Sequence, residues 1–400
     1  VHPVKNRSTW VEIDLDAFSA NLRVIRREVG EQVQIHLVVK ADAYGHGAGP
    51  IGRIAETEGV HSLGVATLDE GIELRRDGIR IPVIILSPTL APEAGAIVEH
   101  DLTATVADSG IARALSARAR AAGREIGVQL EIDTGMGRTG LPPADAVSFA
   151  AALAEMPGIR LTGTYTHFPR ADSPDGVSMT SRQFEDLLAT ADALRAAGLS
   201  PGLLHAANSA GLVNHAGSRL DMVRPGLLAY GLTPSSGVVP PQGLSPVMRL
   251  ASRLVHVREL GPGHPVSYGG EFVTPQTMRV GTAAIGYGHG LPFRLSGRGA
   301  ALCRGCRVPI LGRVTMDTTV FDLRGVPEAK LGDEITLFGR QGDEEIRVER
   351  IAETTGTIPY EILCGIGRRV ARVYTRVGQT VGERTLLGTM PPLLPKTEDA

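Results

Sequence analysis

The sequence predicts an α/β chain: an N-terminal TIM-type (β/α)8 barrel followed by a C-terminal mostly-β domain. Three observations carry that expectation. From Gln34 onward, short apolar runs alternate with amphipathic stretches, the mark of repeated βα units and a parallel sheet. Eight such units fit into about 200 residues, the number that closes a TIM-type barrel. After Gly231 a Pro/Gly/Ser stretch gives way to short β-rich runs, which marks a domain boundary. The boundaries expected are 12–240 for the barrel, 1–11 with 241–385 for the β-rich domain, and 386–400 for a C-terminal extension.

In chain order, residues 10–15 precede the barrel pattern and suit a strand of the second domain. Phe18, Leu22, Ile25 and Val29 then recur at helical spacing, with Asp16 placed to cap that helix. Barrel strands are expected at 35–40, 62–67, 81–86, 102–106, 126–132, 159–167, 203–207 and 222–230. Between the sixth and seventh, Phe184, Leu187, Leu188, Ala191 and Leu194 make an outer-helix stripe ended by Gly198. In the second domain, segments 250–260, 278–285, 308–311, 318–323 and 334–338 read as strands.

Composition narrows the function. The chain has 400 residues, 42% of them hydrophobic, enough for a sizeable core and an enzyme-sized body. Its 41 basic and 43 acidic residues are intermixed, so it lacks the basic stripe that nucleic acid or anionic lipid requires. No stretch reaches the roughly 18 apolar residues of a membrane span, and a cytoplasmic location is expected. Cys303, Cys306 and Cys364 are too few for a disulfide framework and have no histidine cluster to complete a zinc site, so no metal is expected.

Function in such a barrel belongs at the C-terminal ends of the strands. Lys40 closes the first strand in Val38-Val39-Lys40-Ala41-Asp42-Ala43-Tyr44-Gly45-His46-Gly47. An amine withdrawn from water is easier to deprotonate, which suits Schiff-base formation and proton abstraction. Strand five runs into Asp133-Thr134-Gly135-Met136-Gly137-Arg138-Thr139-Gly140, strand six ends at His167, strand seven at Asn208-Ser209, and strand eight contains Arg224-Pro225-Gly226. Ser209 opening a helix and Gly226 allowing close backbone approach could hold a cofactor phosphate.

These motifs, with Val266-Ser267-Tyr268-Gly269-Gly270, Ile285-Gly286-Tyr287-Gly288, Leu311-Gly312-Arg313-Val314-Thr315-Met316-Asp317 and Thr357-Ile358-Pro359-Tyr360-Glu361, resemble the alanine racemase family over nearly the whole chain. The resemblance implies pyridoxal 5'-phosphate (PLP) as cofactor, a homodimer with shared active sites, and an amino-acid substrate. Lys40 would carry PLP as a Schiff base and work one face of the substrate, with Tyr268 from the partner subunit working the other. Tyr44, Ser209, Gly226, Leu227 and Tyr360 would bind the phosphate, with Asn208 in the same cofactor-binding set. Arg224 would contact the pyridine nitrogen with His167 behind it, and Arg138 would hydrogen-bond the Tyr268 phenol. Tyr287 and Met316 would line the entrance from the partner subunit.

The resemblance also exposes departures. His289 stands where the family usually has Asp, and Leu291 where it usually has an aromatic; both lie by the expected entrance and bear on substrate range. Glu131 stands where the family often has a lysine that becomes carbamylated. In strand five Val128, Leu130 and Ile132 alternate with Gln129, Glu131 and Asp133, so the polar set should face the barrel interior. A carboxylate there would replace the carbamate and pair with Arg138, its shorter reach calling for a water or ion between them. The alternatives are a racemase of serine or lysine, sharing the catalytic residues, and a PLP-dependent decarboxylase, which should lack the tyrosine base. A small PLP-carrier barrel would end where this chain adds about 150 residues.

Overall fold

The computed structural model describes residues 7–390. It divides into two compact units, one comprising 19–43 and 48–244 and the other 1–18, 44–47 and 245–400. The chain opens with strand β1 (Thr9–Asp14), and the first unit then contains β2 (Gln34–Val38), β3 (Ser62–Val65), β4 (Val83–Ile85), β5 (Thr103–Val106), β6 (Ile126–Glu131), β7 (Ile159–Tyr165), β8 (Leu203–Asn208) and β9 (Met222–Arg224). All eight run parallel and close into a barrel, β9 returning to β2 through Gln34 opposite Met222 and Ile35 opposite Val223.

The apolar and polar sets of these strands separate as their two-residue period requires. Leu130 of β6 and Ile132 just beyond it pack outward with Ala146 and Ala150 of one helix and with Leu187 and Leu194 of Val177–Ala196, the stripe expected between strands six and seven. Gln129 and Glu131 point the other way and are buried with Tyr165, His205 and Arg224. The barrel interior is therefore polar as well as closed.

Three expected boundaries shift. β2 stops at Val38 because the chain turns left-handed just after Lys40. β9 stops at Arg224 because Pro225 cannot donate to a ladder, and Leu227–Tyr230 form a single 3-10 turn. The first helix, Leu15–Val29, is capped by Asp14, whose Oδ1 accepts from the amides of Asp16 and Ala17, so Asp16 occupies the first turn and is not the cap.

The second unit is built on an 11-stranded sheet whose long central strand is β10 (Met248–Leu260). β1 pairs with it antiparallel and with Ala371–Arg376 parallel, so residues 10–15 do serve this sheet. Met278–Ala283, Cys306–Leu311, Thr319–Asp322 and Glu334–Gln341 answer to the expected segments, and helices Val348–Thr355 and Pro359–Cys364 interrupt the β pattern. Trp10, Ala251, Ala371 and Val373 form one buried cluster across the β1 seam. In the expected extension, Gly388–Met390 is the last strand of the sheet and 391–400 lie outside the described residues. No helix among the described residues is long and apolar enough to cross a membrane.

One glycine is indispensable to barrel closure. Gly202, at φ +65, precedes β8, and a Cβ there would overlap the Thr162 carbonyl carbon and the Gly163 nitrogen of β7, atoms that cannot move aside. Gly202→Ala is expected to destabilise the protein by about 3 kcal/mol, read as a lowered midpoint in urea or heat. An unchanged midpoint would show that the β7–β8 seam has slack.

Candidate active site

Lys40 stands two residues beyond β2, where Ala41, Asp42, Ala43 and Tyr44 take φ of 52, 57, 53 and 50. A left-handed run of non-glycine residues costs about 1–2 kcal/mol each, so it must be held by its surroundings. It is. The Glu70 carboxylate accepts from the Ala41 amide at 2.7 Å and, through its other oxygen, from Ala66 at 2.7 Å and Thr67 at 3.2 Å. Asp42 accepts from the Ala48 amide at 2.9 Å. The same Glu70 belongs to a capping box with Thr67, so one side chain starts a helix and fixes the turn that carries Lys40.

Arg224, at the end of β9, is 3% exposed. Its Nη1 donates to His205 Nδ1 at 2.7 Å, and its Nη2 donates to the Thr166 carbonyl at 2.7 Å, the Ala206 carbonyl at 3.1 Å and His167 Nδ1 at 3.3 Å. The guanidinium also lies 5.0 Å from the Tyr165 ring centroid, and that ring stacks on His205 at 4.8 Å. No carboxylate pairs with it among the described residues. Burial lowers its pKa to about 10, which leaves it a cation at neutral pH. Burial, then Arg224, depresses His167 to about 3, so both imidazoles that face Arg224 are neutral acceptors. The Nε–H has no partner among the described residues.

Glu131 takes its direct hydrogen bond from Thr139. Its Oε2 accepts from the Thr139 hydroxyl at 2.7 Å, while Arg138 is exposed and makes no direct ion pair among the described residues. The Gly-rich turn between them is tied to Asp133, whose carboxylate accepts from Gly135 and Gly137, and this carries the Arg138 side chain outward. Burial raises the Glu131 pKa, opposed by Thr139 and by the nearby charges of Arg138 and Arg224.

At the end of β8, Asn208 caps the helix Ser209–Asn214, its Oδ1 accepting from Gly211 at 3.0 Å while its Nδ2 donates to the Phe168 carbonyl at 3.0 Å. Its carboxamide thus helps to place Ser209. The Ser209 Oγ accepts from Gly226 at 2.9 Å and Leu228 at 3.4 Å, retaining its own proton to donate. Leu227, between them, is fully buried and fixes the turn.

The second unit holds the other expected residues. Tyr44 and Tyr360 meet edge to face at 5.6 Å. Tyr268, Tyr287 and Met316 are 74%, 46% and 52% exposed, unusual for such large side chains. Tyr268 follows Ser267, whose φ of 65 is held by its hydroxyl donating to the Arg313 carbonyl at 2.7 Å. Backbone bonds from Tyr287 to Thr315 and from Gly288 to Met316, both 2.9 Å, clip the two expected entrance residues together. His289 Nδ1 accepts from the Gly286 amide at 3.2 Å, and Leu291 is 2% exposed. Both departures from the family pattern therefore shape the loop from within.

With this geometry in place, comparison with known proteins is decisive: residues 13–234 match the family described as alanine racemase, N-terminal domain, and 247–374 the one described as alanine racemase, C-terminal domain. The chain belongs to the alanine racemase family. The alanine racemase of Symbiobacterium thermophilum is 41% identical over 368 residues, 92% of this chain and 97% of that one. Among solved structures, the alanine racemase of Clostridium difficile has a TM-score of 0.89 at 35% identity, covering 95% of this chain and 99% of that one. The alanine racemase of Bacillus anthracis with bound L-Ala-P has a TM-score of 0.90 at 36% identity, covering 95% and 98%.

Two residues of this racemase-family site carry weight that sequence reasoning missed. Glu70 could have been found from Thr67-x-x-Glu70, the capping-box spacing just after β3. His205 lay inside the expected strand 203–207, but nothing local in the sequence shows that its partner is Arg224.

His36 and His205 are both fully buried in the barrel, and burial, then Arg224, depresses their proton affinity, that of His36 to about 3. An unfolded chain protonates both below about 6.5 while the folded chain does not. Stability is therefore complete above pH 6.5 and falls as pH drops toward 3. Urea midpoints measured down that range should decline, and the decline should be shallower in His36→Gln. A flat profile would show that these imidazoles are protonated in the folded state.

Proposed function

We propose that this chain is a PLP-dependent racemase that interconverts L- and D-alanine with two bases, Lys40 and Tyr268, and works as a cytoplasmic homodimer supplying D-alanine for peptidoglycan. The observation that carries this reading is Arg224, a buried arginine whose four hydrogen bonds all go to neutral acceptors while its Nε–H is unused. That donor suits an unprotonated pyridine nitrogen, and Ser209, with two amides already on its oxygen, suits a phosphate. The residues present fit PLP.

PLP held at Lys40 would draw off the electron pair left when the α C–H bond breaks. Racemisation then requires a proton to leave one face and return to the other, so two bases on opposite faces are the minimum device. Lys40, on its braced turn, serves one face. Tyr268 is presented at the surface of the other unit, as suits a base delivered to the barrel of a second copy, and Arg138 is free to reach its phenol. Arg224, a cation where an acid would protonate the pyridine nitrogen, would leave that nitrogen unprotonated and so disfavour side reactions. Tyr44 and Tyr360 join Ser209, Gly226 and Leu227 in the phosphate set. Alanine is favoured over serine or lysine because His289 and Leu291 are spent inside their own loop.

Purified protein given each L-amino acid should form D-alanine by chiral analysis, with no carbon dioxide released. Borohydride should trap the cofactor on the peptide containing Lys40. Mixing inactive Lys40→Ala with inactive Tyr268→Phe should restore activity through one intact composite site. No recovery despite demonstrated subunit exchange would overturn the shared site.

Glu131 would supply a fixed negative charge near Arg138 without carbamylation. Removing bicarbonate should leave turnover unchanged, and Glu131→Gln, which deletes a charge but no ion pair, should lower it by less than about tenfold. Dependence on bicarbonate would point to a modified lysine elsewhere.

A further inference from the structure

The hydrogen bonds behind Arg224 continue well past His205. His205 Nε2 meets Gln129 Oε1 at 2.9 Å, Gln129 Nε2 donates to Thr162 Oγ1 at 3.1 Å, and Thr162 Oγ1 donates to the Val128 carbonyl at 3.0 Å. Each end of this chain is chemically one-sided. A guanidinium can only donate, and a backbone carbonyl can only accept. The direction of every bond between them follows: Arg224 to His205 Nδ1, His205 Nε2–H to Gln129, Gln129 to Thr162, Thr162 to Val128. Only the neutral Nε2–H form of His205 fits, and only one orientation of the Gln129 carboxamide.

The barrel is locally modified to seat that carboxamide. Pairing of β6 with β7 slips between Val128 opposite Leu161 and Gln129 opposite Gly163, making Thr162 the extra, bulged residue. The bulge turns the Thr162 hydroxyl back onto the Val128 carbonyl. Opposite Gln129 stands Gly163, where any Cβ would overlap the Gln129 Oε1. A bulge, a hydroxyl and a missing side chain thus serve one residue that lies beyond the ligand-binding groups.

We propose that Gln129 is a positioning residue for the racemase reaction: by accepting from His205 Nε2–H it fixes the imidazole that holds Arg224, and so aims the Arg224 Nε–H at the cofactor nitrogen. This rests on the function proposed above. The groups facing His205 are Arg224, His36 at a ring distance of 6.4 Å, Tyr165 in stacking contact, and Gln129 itself. Gln129 is the one among them whose reversal would present a donor to Nε2, forcing the ring proton onto Nδ1 against the guanidinium.

The test is the nitrogen-15 NMR of histidine-labelled holoenzyme, with the His205 signals assigned by their loss in His205→Gln. In the wild type His205 should be a single neutral Nε2–H tautomer from about pH 6 to about 9. Gln129→Glu places a carboxylate beside Nε2 and should bring in imidazolium signal and a changed pH profile of cofactor absorbance. Gln129→Met should lower kcat by about ten- to a hundredfold with KM changed less than about threefold. Thr162→Val, which keeps the shape but frees the carboxamide, should lower kcat by a smaller factor with mixed His205 signals, and it serves if Gln129→Met does not fold. A wild-type proton on Nδ1, or wild-type His205 signals and kcat in both Gln129→Glu and Thr162→Val, would overturn the proposal. Should the chain bind no PLP, the tautomer is still read on the same sample, which separates this inference from the function it rests on.

Discussion

The burial of one arginine without a carboxylate partner is the constraint around which the barrel interior is arranged. A buried guanidinium is costly unless each N–H finds an acceptor, and an acid would be the simplest answer. Here the acceptors are two imidazole nitrogens and two backbone carbonyls, all neutral. Neutral acceptors leave the full positive charge at the site, whereas an ion pair would cancel most of it. They also demand that His205 and His167 stay unprotonated, and the charge of Arg224 itself helps to enforce this. Cation and imidazoles therefore define one another's states.

Lys40 is held by a different device. Four successive residues in left-handed conformation would not persist alone, and Glu70 and Asp42 occupy the amides that would otherwise release them. Because Glu70 also caps its own helix through Thr67, loosening the turn would cost helix stability as well. The amine is thus fixed by the framework of the βα loops rather than by its own strand, which ends two residues earlier.

How far the sequence could be read follows from the range of the forces involved. The barrel strands are set by local apolar periodicity, and all eight fell where that periodicity put them. Their ends were less legible at Lys40 and Pro225, where the chain leaves the ladder for reasons of turn chemistry. In the site, Lys40, Ser209 and Arg224 could be found because motif and strand end coincide. Arg138 could be found too, and its link to Glu131 was expected from the family resemblance together with strand alternation. Alternation fixes the face of a strand and says nothing of a turn four residues long that carries Arg138 outward and puts Thr139 in its place. Partners distant in sequence, such as His205 with Gln129 at a separation of 76, have no local signature at all.

Polarity of hydrogen bonding, more than charge, connects these parts. Tyr268 is 74% exposed on the second unit, whereas the barrel residues of this network are buried. Reversing any one bond from Arg224 to the Val128 carbonyl would set donor against donor somewhere in a buried chain, at a cost of about 1–3 kcal/mol for each unsatisfied group.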